Sequence, residues 1–271
     1  MTRIADTFRR LESRGEGAYV PYVCAGDPSP AFTISLVKTL LDSGADIIEL
    51  GLPFSDPIAD GPTIQAAMGR SLSSGMKVGD IFATISSVRS LGQDHPIVLM
   101  TYFNPVMKLG VSKFCRRLAS SGGDGILVVD LPPEESSELE QAAKENNLDI
   151  IRLVAPSTNG PRIDEILAKS SGYVYAVSVS GVTGARDRLE SSGLELVNRV
   201  ASRNALPVAL GFGISRPEHV RQAMSAGASG VVEGSELIAM YSRSSGNPET
   251  ALEMISKHAR EMKEATVRGR K

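Results

Sequence analysis

The chain has 271 residues, 42% of them hydrophobic and 22% charged, enough to bury the core of one α/β barrel of about 250 residues. Lys plus Arg total 29 against 31 Asp plus Glu; with a formal net charge of -2 nothing in the overall balance points to a polyanionic partner such as nucleic acid, and small molecules or proteins are the expected ligands. Cys24 and Cys115 stand far apart without metal-ligand spacing, the N-terminus has no apolar signal core, and no run reaches membrane-span length, so a cytoplasmic chain without disulfide or zinc is expected.

Taken in chain order, an apolar-patterned helix (Ile4, Phe8, Leu11) precedes the first of eight short apolar runs rich in β-branched residues. These runs fall near 19–24, 46–50, 96–101, 125–129, 149–153, 173–179, 207–212 and 229–233. They are continuously apolar and are followed by segments of helical period, the pattern of parallel strands covered by helices. After the first run, Phe32, Leu36 and Leu40 share one helical face while Lys38 and Asp42 point away. Eight such units predict a single (β/α)8 TIM barrel over residues 1–271, with the extra N-terminal helix, additional helices after strand 2 and further helix at the C-terminus. Ser215 with Glu218 predicts a capping box, Pro132-Pro133-Glu134-Glu135 a helix start, and the basic segment from Lys257 to Lys271 a solvated helix end.

Barrel active sites lie at the C-terminal ends of the strands, which directs attention to the residues there. Glu49 closes strand 2 within IIEL, where a carboxylate is costly to desolvate unless it is hydrogen-bonded, ion-paired or held protonated. That position fits an acid-base catalyst or a buried structural ion pair. In the next loop Asp56 and Asp60 lie on a proline-stiffened path, as further site carboxylates or as turn and cap residues. After strand 6, residues 180–187 form a polar, Gly-punctuated loop, either a lid or a plain connection. Phe212 and Gly213 after strand 7, with Gly234 and Ser235 after strand 8, set small residues beside fresh helix starts, a phosphate cradle or a pair of tight packing turns. No Lys ends a predicted strand and His95, His219 and His258 are dispersed, which leaves carboxylate acid-base chemistry on a phosphate-anchored substrate, with no metal.

The segments IIELGLPFSDPIADGPTIQ (47–65), SGVTGARD (180–187), GFGIS (211–215) and EGS (233–235) resemble the tryptophan synthase α-subunit family. The resemblance covers essentially the whole chain, including EGAYVPYVCAGDP (16–28), the Asn104-Pro105 dipeptide and VDLPPEES (129–136). It implies retro-aldol cleavage of indole-3-glycerol phosphate to indole and glyceraldehyde 3-phosphate. Glu49 would be the general acid-base group and Asp60 the partner of the indole nitrogen. Tyr175 would lie near Glu49, and Thr183 would be the lid residue that meets Asp60. Phosphate would fall to Gly184, Phe212, Gly213, Gly234 and Ser235, and the indole wall to Tyr22, Met100, Leu127 and Ile64. The resemblance further implies no cofactor on this chain, pyridoxal phosphate on a β-subunit partner, and an α2β2 assembly touching Pro53, Asp56 and residues 104–105. One departure is Val179, where many members carry an arginine; the lid would then close less firmly, or close by Arg186 and Arg188 instead. Alternatives are another phosphate-binding barrel enzyme and a non-catalytic activator of the β subunit.

Overall fold

A computed structural model describes residues 1–92, 94–178, 189, 191–203, 206–244 and 247–267. Helix α1 (Arg3–Ser13) precedes β1 (Ala18–Cys24), α2 (Pro30–Asp42) and β2 (Ile48–Gly51). Two helices, α3 (Pro62–Ser73) and α4 (Val78–Ser90), then lead to β3 (Ile97–Thr101), and two more, α5 (Phe103–Leu109) and α6 (Val111–Ser120), lead to β4 (Gly125–Val128). The pattern continues with α7 (Ser137–Glu145), β5 (Asp149–Val154), α8 (Gly160–Ala168), β6 (Val174–Val177), α9 (Ser191–Ala201), β7 (Val208–Gly211), α10 (Pro217–Ser225) and β8 (Gly230–Glu233). Helices α11 (Ser235–Arg243) and α12 (Pro248–Glu264) follow.

All eight strands pair in parallel in sequence order, and β8 returns to β1, closing the barrel that the eight apolar runs predict. Both faces of the strands are covered, so the runs need no polar alternation. The inward residues Ala18, Val20, Ile47, Val98, Leu127, Ile151, Tyr175, Ala209 and Val232 form one core cluster, which Ile4, Phe8 and Leu11 of α1 join. Helix α1 therefore plugs the N-terminal end of the barrel, its Phe8 ring 5.7 Å from that of Tyr173. A Cβ at Gly125 or Gly172 would come within 3.1 Å of the Ile4 side chain, so two glycines make room for the plug. The second core lies between the strands and the outer helices, where Leu36, Val37, Leu40 and Leu41 give α2 its buried face. Among the described residues no helix is long and apolar enough to cross a membrane.

Four local expectations change. Helix α10 starts at Pro217 with Arg216 as its N-cap, because proline fixes the first helical position there, so Ser215 lies before the cap and forms no capping box. The Pro132-Pro133 corner makes a 3-10 turn, Pro133–Glu135, before α7 begins at Ser137. The Asn104-Pro105 dipeptide lies inside α5, an additional helix after β3 beyond those expected after strand 2 and at the C-terminus. Helix α12 is packed instead of solvated: Ile255, Ala259 and Met262 are buried, and the Lys263 ammonium donates to the Gly17 carbonyl at 3.2 Å and pairs with Glu16 and Asp46 at 3.0 Å.

Candidate active site

Glu49 is the second residue of β2, in register with Tyr22 of β1 and Val98 of β3, and is 1% exposed. Burial, and then the charge of Asp60, push its pKa up to about 8, against a smaller opposing effect of Tyr173. Among the described residues no cation pairs with it, and Glu49 Oε2 and the Tyr173 hydroxyl are both buried without a completed hydrogen bond. The ion-pair reading of this carboxylate therefore has no partner among the described residues. A buried carboxyl without a counter-charge holds its proton near neutrality, the condition a general acid requires.

Asp60 ends the loop from β2 to α3 and is 7% exposed. It does not cap α3, whose N-cap is Gly61. Its carboxylate accepts a 2.6 Å hydrogen bond from the Tyr102 hydroxyl, and that hydroxyl accepts the Ala59 N–H at 3.0 Å. Phe54 stacks on the Tyr102 ring with centroids 5.1 Å apart, and Gln65 Nε2 donates to the Asp60 carbonyl at 2.8 Å. Burial raises the Asp60 pKa while the Tyr102 hydrogen bond opposes the rise. Asp56, by contrast, is exposed and bonded to its neighbour Ser55.

Two tyrosines fill the barrel mouth because glycines on the adjacent strands leave space for them. A Cβ on Gly51 would lie 2.2 Å from the Tyr22 hydroxyl, and one on Gly211 would lie 2.2 Å from the Tyr175 hydroxyl. Gly211→Ala is accordingly expected to cost about 1–3 kcal/mol by overpacking, read as a lower denaturation midpoint at unchanged slope in urea. Met100 and Leu127 sit side by side in the β3–β4 register, and Ile64 of α3 packs against the outer core.

On the opposite side, Phe212 takes φ 67° and Gly213 φ 78°, two successive left-handed residues directly after β7. This conformation is strained for phenylalanine, the kind of local cost found at ligand sites, and the residue is 40% exposed. The Phe212 carbonyl accepts from the Ser178 hydroxyl at 3.0 Å, and the Ser215 N–H donates to His219 Nδ1 at 3.3 Å. Next to this corner, α11 begins at Ser235 behind Gly234, which supplies no side-chain cap to its first N–H groups. Thr183, Gly184, Val179, Arg186 and Arg188 lie outside the described residues. No group of three or more His, Cys, Asp or Glu among the described residues is placed to hold a metal ion.

Residues 8–267 match the family model described as tryptophan synthase alpha chain. The chain belongs to the tryptophan synthase α-chain family. It is 46% identical to the tryptophan synthase alpha chain of Methanothermobacter thermautotrophicus over 96% of this chain and 95% of that one. The Carboxydothermus hydrogenoformans alpha chain is 42% identical over 97% and 99%. A solved tryptophan synthase structure from Mycobacterium tuberculosis superposes with a TM-score of 0.90 at 34% identity, covering 99% of each chain. Tryptophan synthase subunit alpha of Legionella pneumophila gives 0.88 at 33% identity, covering 98% of each. As a member of the family the chain is a carbon-carbon lyase that cleaves indole-3-glycerol phosphate, and the family implies a β-subunit partner.

The α-chain motifs drew attention to the carboxylates and left two tyrosines unmentioned. Tyr102 follows β3 directly, so its place at a strand end was the available signal. Tyr173 stands two residues before Tyr175, immediately ahead of β6 and in the same inward cluster, and reading that run with period two would have found it. Cys24 is fully buried with its pKa pushed up to about 12 by burial, an unreactive thiol.

Proposed function

We propose that Glu49 carries both proton transfers of indole-3-glycerol phosphate cleavage and that Asp60 steadies the indole nitrogen. The supporting observation is the pairing of two buried carboxylates with different partners. Glu49 has no cation among the described residues and a raised proton affinity, whereas Asp60 holds a short hydrogen bond from Tyr102. Protonated Glu49 gives its proton to indole C3, and ionised Asp60 accepts a hydrogen bond from the ring N–H as positive charge develops there. Glu49, now a carboxylate, removes the proton from the glycerol hydroxyl next to the ring. The C3–C1′ bond then breaks, its electron pair returns to the ring, and that hydroxyl carbon becomes the aldehyde of glyceraldehyde 3-phosphate. One proton enters and one leaves, so Glu49 ends as it began.

Phe212, Gly213, Gly234 and Ser235 are proposed to hold the phosphate with backbone N–H groups, joined by Gly184, and Thr183 to meet Asp60 on closure. Tyr22, Met100, Leu127, Ile64 and Tyr175 would enclose the ring. The chain, acting as one domain over residues 1–271 in the cytoplasm, would hold no cofactor, with pyridoxal phosphate confined to the β partner of an α2β2 assembly. Pro53, Asp56 and residues 104–105 would meet that partner. Ile58, 87% exposed, and Met107, 60% exposed, lie in the same loop and helix and support this face.

The test is a pH profile of indole release. Cleavage needs Asp60 ionised and Glu49 protonated, so kcat/KM is expected to rise through the Asp60 pKa and to fall above pH about 8. A profile with no fall above pH about 8 would overturn the role of Glu49 as the general acid.

A further inference from the structure

Strand β8 ends at Glu233, one residue before the Gly234-Ser235 start of α11. Glu233 is fully buried, on the helix-facing side of the sheet, since its neighbour Val232 points into the barrel. Both carboxylate oxygens are occupied: the Tyr19 hydroxyl of β1 donates to Oε2 at 2.6 Å, and His258 Nε2 of α12 lies 2.7 Å from Oε1. None of these three residues takes part in the proton transfers above. A lone buried negative charge beside a site for a phosphate dianion would oppose binding, and a buried carboxylate is tolerated only when paired.

We propose that Glu233 is a positioning residue for the phosphate corner: Tyr19 and His258 lock the β8–α11 junction through it, and the imidazolium cancels its charge so that the α11 N-terminus receives a phosphate dianion. The inference rests on the reading of Gly234 and Ser235 as phosphate contacts. Among the described residues, the charged groups that act on His258 are Glu233 of β8, Glu236 of α11 and Glu261 of its own helix. Burial lowers the proton affinity of the imidazole, but the Glu233 hydrogen bond and charge, with help from Glu236 and Glu261, carry its pKa above the usual histidine value. The His258 side chain remains 15% exposed, so it exchanges protons with solvent. Raising the pH through that pKa removes the cation and leaves Glu233 uncompensated.

The experiment compares the wild type, His258→Gln, Glu233→Gln/His258→Gln and Ser235→Asp. It reads kcat and KM for indole-3-glycerol phosphate, the Kd for glycerol 3-phosphate by calorimetry, and the melting temperature. Titrations at about pH 7.5 and about pH 9.5 keep the ligand phosphate a dianion. His258→Gln is expected to raise KM and Kd about tenfold with kcat changed less than about twofold, the signature of lost ground-state binding. The double variant, a neutral Gln–Gln pair, is expected to restore both constants and to lose the part of the wild-type weakening at high pH that His258 causes. Unchanged constants in His258→Gln, or a double variant as weak as the single one, would overturn the proposal. Should His258→Gln fail to fold, equal pH slopes in the wild type and the double variant would overturn it as well. Ser235→Asp separates the two readings. If it leaves Kd unchanged, the phosphate corner itself is misplaced and both fail; if it weakens Kd while His258→Gln does not, only the role of Glu233 fails.

Discussion

Glu49→Gln is expected to lower kcat for indole release by about 10²–10⁴-fold while making the protein more stable. The loss follows from removing the group proposed to give a proton to indole C3 and to take one from the glycerol hydroxyl. The gain follows from proton linkage. The Glu49 pKa is about 8 in the folded chain, against its ordinary value of 4.5. Its contribution to stability is therefore fully present below about pH 4.5 and is lost as pH rises through about 8. Glutamine keeps the shape and carries no charge, so the variant escapes that loss. The difference in stability should be near zero at about pH 4.5 and grow to at least ~1 kcal/mol by pH 8, roughly 2–4 °C in Tm for a chain of this size. Calorimetric scans across that range, paired with an indole assay, check both halves. Retained turnover would remove Glu49 from the mechanism, and a variant less stable than the wild type at pH 8 would show that the carboxyl is paired after all.

Asp60→Asn is the second large effect, with an expected loss of about 10²–10³-fold in kcat and little change in KM, because a neutral amide cannot offset charge developing on the ring nitrogen in the transition state. Tyr102→Phe tests the same site through its support. The Tyr102 hydrogen bond opposes the rise in the Asp60 pKa, so its removal lets burial act unopposed and raises that pKa further. The ascending limb of the pH profile should move to higher pH in Tyr102→Phe and vanish in Asp60→Asn. A merely structural role for Tyr102 would lower stability and leave the limb in place.

The two carboxylates differ in how far the chain itself announced them. Glu49 was legible because a charged residue interrupts a continuously apolar strand, a costly placement that calls for a reason. Asp60 was not, since an aspartate before glycine and proline reads equally well as a turn; only its bond to Tyr102, 42 positions away, distinguishes the two. The paired glycines followed the same division. Gly213 and Gly234 were legible as small residues at helix starts, but that Gly51 and Gly211 clear space for the Tyr22 and Tyr175 rings depends on strands lying side by side. The basic C-terminal segment misled because Lys263 and His258 are charged, yet each has a buried acidic partner on a distant strand or loop.

What the sequence determined by itself was the succession of eight strand-helix units, the closing of those units into a barrel, the strand that carries Glu49 and the two loops read as a phosphate corner. These depend on local pattern: apolar runs, helical period and the small residues at turns. The partners of each charged group were decided only by tertiary structure. Tyr102 came to Asp60 across neighbouring loops, and Tyr19 came to Glu233 from 214 positions away when β8 closed on β1. The absence of any cation beside Glu49 among the described residues was likewise a property of the closed barrel. Proton affinity is set by the surroundings of a carboxyl and not by its neighbours along the chain, so Glu49 could be located in the sequence, while its readiness to act as an acid near neutral pH emerged only once the barrel enclosed it.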